Sequence, residues 1–166
     1  MQACGSFVKP RSLVLIRPAT HVDLPLMREL EQQSETAAHW AERDYEALFA
    51  PEAPQRLALV AVEGADAVDV CGFLVARCSS DEWEIENVVV RPNKRRRGIG
   101  SAIVAELVQR ARAARARSVL LEVRESNLAG RRLYEKLGFS QTGMRSGYYR
   151  EPLEAALLLK VSISVL

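Results

Sequence analysis

The chain has 166 residues, 48% hydrophobic and 27% charged, with 23 lysines and arginines against 21 acidic residues and a net charge of +2. That suits a single domain with room for a packed core, and so small an excess of positive charge excludes a general nucleic-acid binder. Cys4, Cys71 and Cys78 form no C-x-x-C pair and only two histidines are present, which excludes a disulfide framework and a zinc site and fits reduced thiols in the cytoplasm. The apolar run Leu13 to Ile16 is too short for a signal-peptide core or a membrane span.

In chain order, residues 1–11 show no periodicity and read as a loose extension, leaving 12–166 as the domain. Ser12 to Arg17 is a strand ended by Pro18. Thr20 reads as the N-cap of a helix, with Asp23 three positions on and an apolar face of Leu24, Met27 and Leu30 running to about Ser34. A second helix fits Ala41 to Ala50, closed by Pro51 and Pro54. Arg56 to Glu63 and Val68 to Cys78 read as antiparallel strands around Gly64-Ala65-Asp66, and Glu82 to Val90 as the next strand. A basic loop follows, then a long helix from Ile99 to about Arg115. Val119 to Val123 is a compact strand, and Asn127 caps a helix to Leu137 that Gly138 stops. Phe139 to Met144 and Leu153 to Ser162 close the chain as strands, with Ser146-Gly147-Tyr148-Tyr149 as the turn between them. This order predicts an α/β fold of the mixed α+β kind, a sheet with helices on its faces.

The basic loop runs Arg91-Pro-Asn-Lys-Arg-Arg-Arg-Gly-Ile-Gly-Ser101. It lies between a strand and a helix, where Gly98 and Gly100 permit a tight turn and the first helical amides point outward with about half a positive charge. Arg91, Lys94, Arg95, Arg96 and Arg97 add a positive field, so the loop reads as an anion site. A merely solvated turn, a phosphate-bearing cofactor and nucleic acid compete for it. The spacing matches neither G-x-x-x-x-G-K-[ST] nor G-x-G-x-x-G. It does match R-x-x-G-x-G, Arg95 to Gly100, and so resembles the pyrophosphate-binding loop of the GNAT superfamily of acetyl-CoA-dependent N-acetyltransferases.

Glu122 is a carboxylate in an otherwise apolar strand, sharing a face with Leu120 while Val119, Leu121 and Val123 share the other. It either lies at an exposed strand end or pairs with Arg124 or Arg131, or it is a general base whose pKa burial would raise. Tyr134, twelve residues on, reads by itself as a core tyrosine with its hydroxyl near the surface, and Asn127 as a plain N-cap. Taken together, Leu121-Glu122-Val123, Asn127 and Leu133-Tyr134-Glu135-Lys136-Leu137-Gly138-Phe139 resemble the ribosomal-protein alanine N-acetyltransferases, the RimI type of the GNAT superfamily. The resemblance spans roughly residues 13–161. His39-Trp40 departs from the family's more usual Pro-Trp, and residues 1–11 have no counterpart.

That resemblance implies one GNAT-like domain with a mostly antiparallel sheet of six to seven strands and helices on both faces. It implies acetyl-CoA as donor, with Val88, Val89 and Val90 offering backbone groups to the pantetheine arm. Arg95, Arg96, Arg97, Gly98, Ile99, Gly100 and Ser101 would cradle the pyrophosphate, and Asn127 would hold the cofactor further along. Glu122 would take the amine proton and Tyr134 would protonate the departing thiolate. Tyr148 would line the peptide groove, with Glu84 in reserve as base or amine holder. No metal and no protein nucleophile are required; Cys71 and Cys78, seven apart in one strand, read as packing residues on opposite faces. The implied acceptor is the N-terminal alanine of a small-subunit ribosomal protein. A GNAT enzyme for a small amine is the second reading, favoured by an acidic groove; an idle acyl-CoA- or ribosome-binding module is the third. The expected state is a cytoplasmic monomer or weak dimer, with neither membrane nor direct nucleic-acid contact.

Overall fold

The computed structural model describes residues 14–51, 55–64 and 69–163. Val14–Pro18 (β1) leads through a short 3-10 turn into Leu24–Gln32 (α1) and Glu42–Glu46 (α2). Arg56–Glu63 (β2), Asp69–Cys78 (β3) and Glu82–Val90 (β4) follow, then Ile99–Ala113 (α3), Ser118–Arg124 (β5) and Leu128–Lys136 (α4). Ser140–Arg150 (β6) and Leu153–Ser162 (β7) end the described chain. One seven-stranded sheet results, in the order β1-β2-β3-β4-β5-β7-β6. Every pairing is antiparallel except β4 with β5. The expected mixed sheet with helices on both faces is what forms.

Each face has its own core. On one side α3 buries Ile99, Ile103, Val104, Leu107 and Ala111 at helical spacing, joined by Tyr134 of α4 and by Trp83, Val119, Leu121 and Leu157 of the sheet. On the other, Met27 and Leu30 of α1 pack with Tyr45, Leu48, Val60 and Phe73. Fully burying an aliphatic or aromatic side chain of this size contributes about 1.5–3 kcal/mol, so the two clusters anchor the helices to the sheet.

Several local readings are corrected. Residues 1–13, with the proposed extension and the start of the first strand, and most of the turn after Gly64 lie outside the described residues. Thr20 is an N-cap as expected, but of the 3-10 turn His21–Asp23 that precedes α1, and the Asp23 carboxylate accepts from the Thr20 amide at 2.7 Å and hydroxyl at 3.1 Å. Arg17 grips the same carboxylate at 2.8 and 2.9 Å, which with those bonds holds Asp23 below the usual carboxylate range. The second helix shortens to α2 plus a 3-10 turn, Ala47–Phe49. Ser146 to Tyr149 is no turn but part of β6, and the chain reverses at Glu151-Pro152.

Two bulges matter most. Ala61 faces Gly72 and Val62 faces Val70, so Cys71 is an extra residue in β3. That flips the pleat and sends Cys71 and Cys78 to the same core, not to opposite faces. Likewise Val75 faces Asn87 and Ala76 faces Ile85, leaving Glu86 as the extra residue in β4.

Candidate active site

The bulge at Glu86 is where the sheet opens. β4 and β5 pair only over Glu82–Ile85 with Ser118–Leu121; beyond that the two parallel strands part. Between their free ends lies a cleft of about 380 Å³, walled by Ile85 to Val88 of β4, Leu121 to Arg124 of β5, Asn127 just before α4 and Tyr134 within it, Tyr148 and Tyr149 of β6, and residues 36–38. Glu84 also reaches it. Parted strands leave backbone amide and carbonyl groups without a ladder partner, ready to pair with an extended ligand.

Glu122 sits on β5 beside this opening, less enclosed than its apolar strand suggests. Its side chain is 21% exposed and its carboxylate lies 3.2 Å from the Arg145 guanidinium of β6. The alternative pairing with Arg124 or Arg131 does not form: Arg124 binds Glu154 at 2.8 Å, and Arg131 donates to the Glu125 carbonyl. Arg145 reaches Glu122 across β7, which pairs with both strands, and β6 turns irregular just after it. Arg145 faces Ala156 and Tyr149 faces Glu154, so four steps on β6 span two on β7. Gly147, at φ +60°, lies in that excursion, and Tyr148 beside it lines the cleft. The neighbouring Glu122 carboxylate raises the Tyr148 hydroxyl pKa. Tyr148 meets Tyr149 edge-on at 5.1 Å, and Arg124 covers the Tyr149 ring at 3.9 Å.

Tyr134 comes from the other side. Asn127 caps α4, its side chain accepting from the Gly130 amide at 2.9 Å. Gly138, at φ +87°, ends the helix as expected. The ring packs edge-on against Phe139 and lines the cleft. Burial, helped by the nearby Tyr149, pushes its hydroxyl up to about 12, so at any working pH it holds its proton.

The basic loop begins where β4 ends. Gly98 caps α3 in the left-handed region, φ +82°, with open space above it. The first intrahelical bond is Ala102 to Gly98, which leaves the amides of Ile99, Gly100 and Ser101 without a helical acceptor. A Cβ on Gly100 would come within 2.8 Å of Leu133 of α4, so this glycine lets the start of α3 pack closely against α4. The positive field is smaller than the residue count implies. Arg91 pairs with Asp69, and Lys94 and Arg97 both pair with buried Glu63. Arg95 donates to the Val90 carbonyl, and Arg96 makes no ion pair among the described residues.

Of the residues singled out by sequence, Glu84, Val88, Glu122, Asn127, Tyr134 and Tyr148 meet at the cleft. Val89 points its side chain into the α1 core and Val90 into the α3 core. Residues 95–101 stand at the end of β4 rather than in the cleft itself. Tyr149 and the wall at 36–38 lie where the resemblance sets the substrate groove, near residues 35–50 and 145–150, whereas sequence reasoning missed Arg124. It also missed Asn87, whose signal was a polar side chain that turns out to be 5% exposed within an otherwise valine-rich strand end. Cys71 donates its thiol to the Ala61 carbonyl, and burial pushes both Cys71 and Cys78 up, so neither is a nucleophile candidate. Among the described residues no helix is long and apolar enough to cross a membrane.

The acetyltransferase (GNAT) family model matches residues 24–139. The [ribosomal protein bS18]-alanine N-acetyltransferase of Salmonella typhimurium is 30% identical over 145 residues, 86% of this chain and 93% of that protein. The enzyme of the same name from Escherichia coli K12 is 29% identical with the same coverage. In the crystal structure of the ribosomal-protein-S18-alanine N-acetyltransferase from Escherichia coli the fold superposes with a TM-score of 0.80 at 26% identity, over 93% of this chain and 96% of that one. Arabidopsis thaliana NAA60 in complex with acetyl-CoA is similar in fold alone, at 18% identity and a TM-score of 0.79, over 91% and 99% of the two chains.

Proposed function

The chain belongs to the acetyltransferase (GNAT) family, and from that premise we propose that it moves an acetyl group from acetyl-CoA to the N-terminal α-amine of a protein in the cytoplasm. The acceptor is a ribosomal protein beginning with alanine, as its relatives' names say of theirs. The observation that carries this reading is the convergence of Glu122, Tyr134 and Tyr148 on the opening between β4 and β5, one strand length from the glycine loop. Acetyl-CoA fits that arrangement. Its pantetheine arm would lie along Val88–Val90 as an added strand, its pyrophosphate on the amides of Gly98 to Ser101 with Arg95, Arg96 and Arg97 around it, and Asn127 would flank the arm.

The acceptor amine attacks the acetyl carbonyl carbon, and the C=O electron pair moves onto oxygen. Collapse restores the carbonyl, and the C–S pair leaves on sulfur. Glu122 takes the proton the nitrogen must lose, directly or through water. Tyr134 donates to the departing sulfur. An ordinary thiol has a pKa of ~8.5, so a phenol near 12 acts chiefly by holding a hydrogen bond on the nascent thiolate. Tyr148 and Glu84 are placed to hold the acceptor.

The small-amine reading called for an acidic groove. Here Glu84 pairs with Arg77, Glu86 with Arg56 and Glu122 with Arg145, so each carboxylate at the cleft carries its own cation. A polycation finds little to hold it. The test is acetyl-CoA turnover, followed by CoA release and product mass. The panel holds peptides with free Ala, Ser or Met termini, an N-blocked lysine peptide, polyamines and aminoglycosides. Acetylation confined to free termini and strongest for alanine is the expected result; turnover on a small amine alone would replace this reading.

A further inference from the structure

The acceptor-side wall of the cleft, residues 36–38, belongs to the link between α1 and α2 and has no strand to pair with. What holds it is a buried polar latch. Glu31, in the last turn of α1, is 3% exposed and makes no ion pair among the described residues. Both of its oxygens accept the Trp40 amide at 3.1 Å, and Oε1 also accepts the Asn87 side-chain amide at 2.6 Å. Asn87 in turn accepts the Ala38 amide through Oδ1 at 3.4 Å. Between the two captured amides His39 is held at φ +54°, a conformation uncommon for a residue with a Cβ.

The position of Asn87 gives the latch its significance. It is the residue after the Glu86 bulge, the point at which β4 departs from β5. One side chain therefore ties the acceptor wall to the strand that opens the donor cleft. A buried carboxylate without a cation is a costly way to hold a loop unless its geometry is needed. We infer that Glu31 and Asn87 are positioning residues for the acceptor: they register residues 36–40 against β4, and so set where the incoming N-terminus lies relative to Glu122. This rests on the acyl transfer to a peptide terminus proposed above, but it has a readout of its own.

The hydrogen-bond pattern can be broken and then rebuilt. In Glu31→Gln an NH2 group replaces one carboxylate oxygen, so whichever way the side chain turns a donor faces the Asn87 amide or the Trp40 amide, and the latch is weakened. Adding Asn87→Asp reverses the polarity. The side chain at position 31 then accepts from the Trp40 amide and donates to the new carboxylate at position 87, whose second oxygen accepts from the Ala38 amide. In a Trp83→Phe background Trp40 is the one remaining tryptophan, and its quenching by acrylamide reports whether the segment stays docked, whatever the substrate. The single variant is expected to raise Trp40 quenching and to raise the peptide KM about tenfold, the scale of a lost bond to a charged group. The acetyl-CoA KM and kcat at saturating peptide stay close to the parent, and the double variant restores both readouts. If Glu31→Gln unfolds, Asn87→Ala, which leaves the Glu31–Trp40 bonds in place, is expected to give the same split. Equal rises in both KM values, or a double variant that recovers stability but not the peptide KM, would overturn the inference. Unchanged Trp40 quenching would do so even in an enzyme for which no peptide is a substrate, whereas absent peptide turnover in the parent would reject the acceptor reading alone.

Discussion

The two residues proposed for chemistry sit in contrasting surroundings, and the contrast predicts different costs of removing them. Glu122 is part-exposed beside Arg145, open to water and to an arriving amine. General acid–base assistance contributes about 10²–10⁴ in rate, so Glu122→Gln is expected to lower kcat by that range while acetyl-CoA affinity, measured by calorimetry, changes little. Tyr134 is enclosed, and what it gives is one hydrogen bond to a charged sulfur, about 1.5–3 kcal/mol. Tyr134→Phe should therefore cost kcat only about 10- to 150-fold. Unchanged kcat in both variants would remove both roles. The raised Tyr134 pKa also has a stability consequence of definite sign. A phenol at about 12 when folded and near 10 when unfolded lends its full contribution below pH 10 and loses it as pH rises through 12. The difference, on the order of a few kcal/mol, is expected to make alkaline unfolding of the parent steeper than that of Tyr134→Phe. Parallel curves would mean that the unfolded state shares the shift.

At the scale of elements, the strands and helices were legible because their signals are local: the apolar spacing of α3, the Asn127 cap, the Gly138 stop. What was not legible depends on partners far along the chain. Ser146-Gly147 has turn chemistry, yet β7 continues to pair on either side of it, so the residues form an excursion in one strand. Nothing near Cys71 or Glu86 announces an extra residue, because a bulge is defined only by the register of the neighbouring strand. Arg145 comes to Glu122 through that same long-range pairing, which is why only the nearer arginines could be weighed as its partners. Two elements permit tests that separate support from binding. Asn127→Ala removes the cap of α4, worth about 0.5–2 kcal/mol, and should lower Tm by a few degrees. Asn127→Asp caps equally well but sets a carboxylate beside an anionic donor. Its Tm should recover while acetyl-CoA affinity does not; recovery of both would leave Asn127 a cap and nothing more. At the start of α3, Gly98→Ala meets no neighbour but must adopt φ +82°, a strain of roughly 1–2 kcal/mol. Gly98→Asn tolerates that conformation better, so the Asn variant should retain more acetyl-CoA affinity than the Ala variant. The reverse order would argue that open space at this position, rather than the backbone turn, is what the donor needs.

For the molecule as a whole the question is how one near-neutral cleft chooses its amine. Its carboxylates are paired with arginines, so charge gives little discrimination between an α-amine and a lysine, and the amines' own basicity becomes the larger influence. At pH 7 about one α-amine in ten is neutral, against on the order of one lysine in two thousand, for pKa values near ~8 and ~10.4. The advantage of the α-amine on that ground alone is about 200-fold. By pH 9.4 the α-amine is almost wholly neutral and roughly a tenth of the lysine is, so the advantage narrows to about tenfold. Tyr134 keeps its proton across this interval and imposes no falling limb of its own. The expected outcome is a kcat/KM ratio between a free-terminus peptide and its N-blocked lysine counterpart that shrinks about twentyfold from pH 7 to pH 9.4. A ratio that stays constant would transfer the selection from amine chemistry to fit. The wall at residues 36–38 and the tyrosines opposite it would then be the elements that reject a lysine, and variants of the Glu31–Asn87 latch would be the ones to relax it.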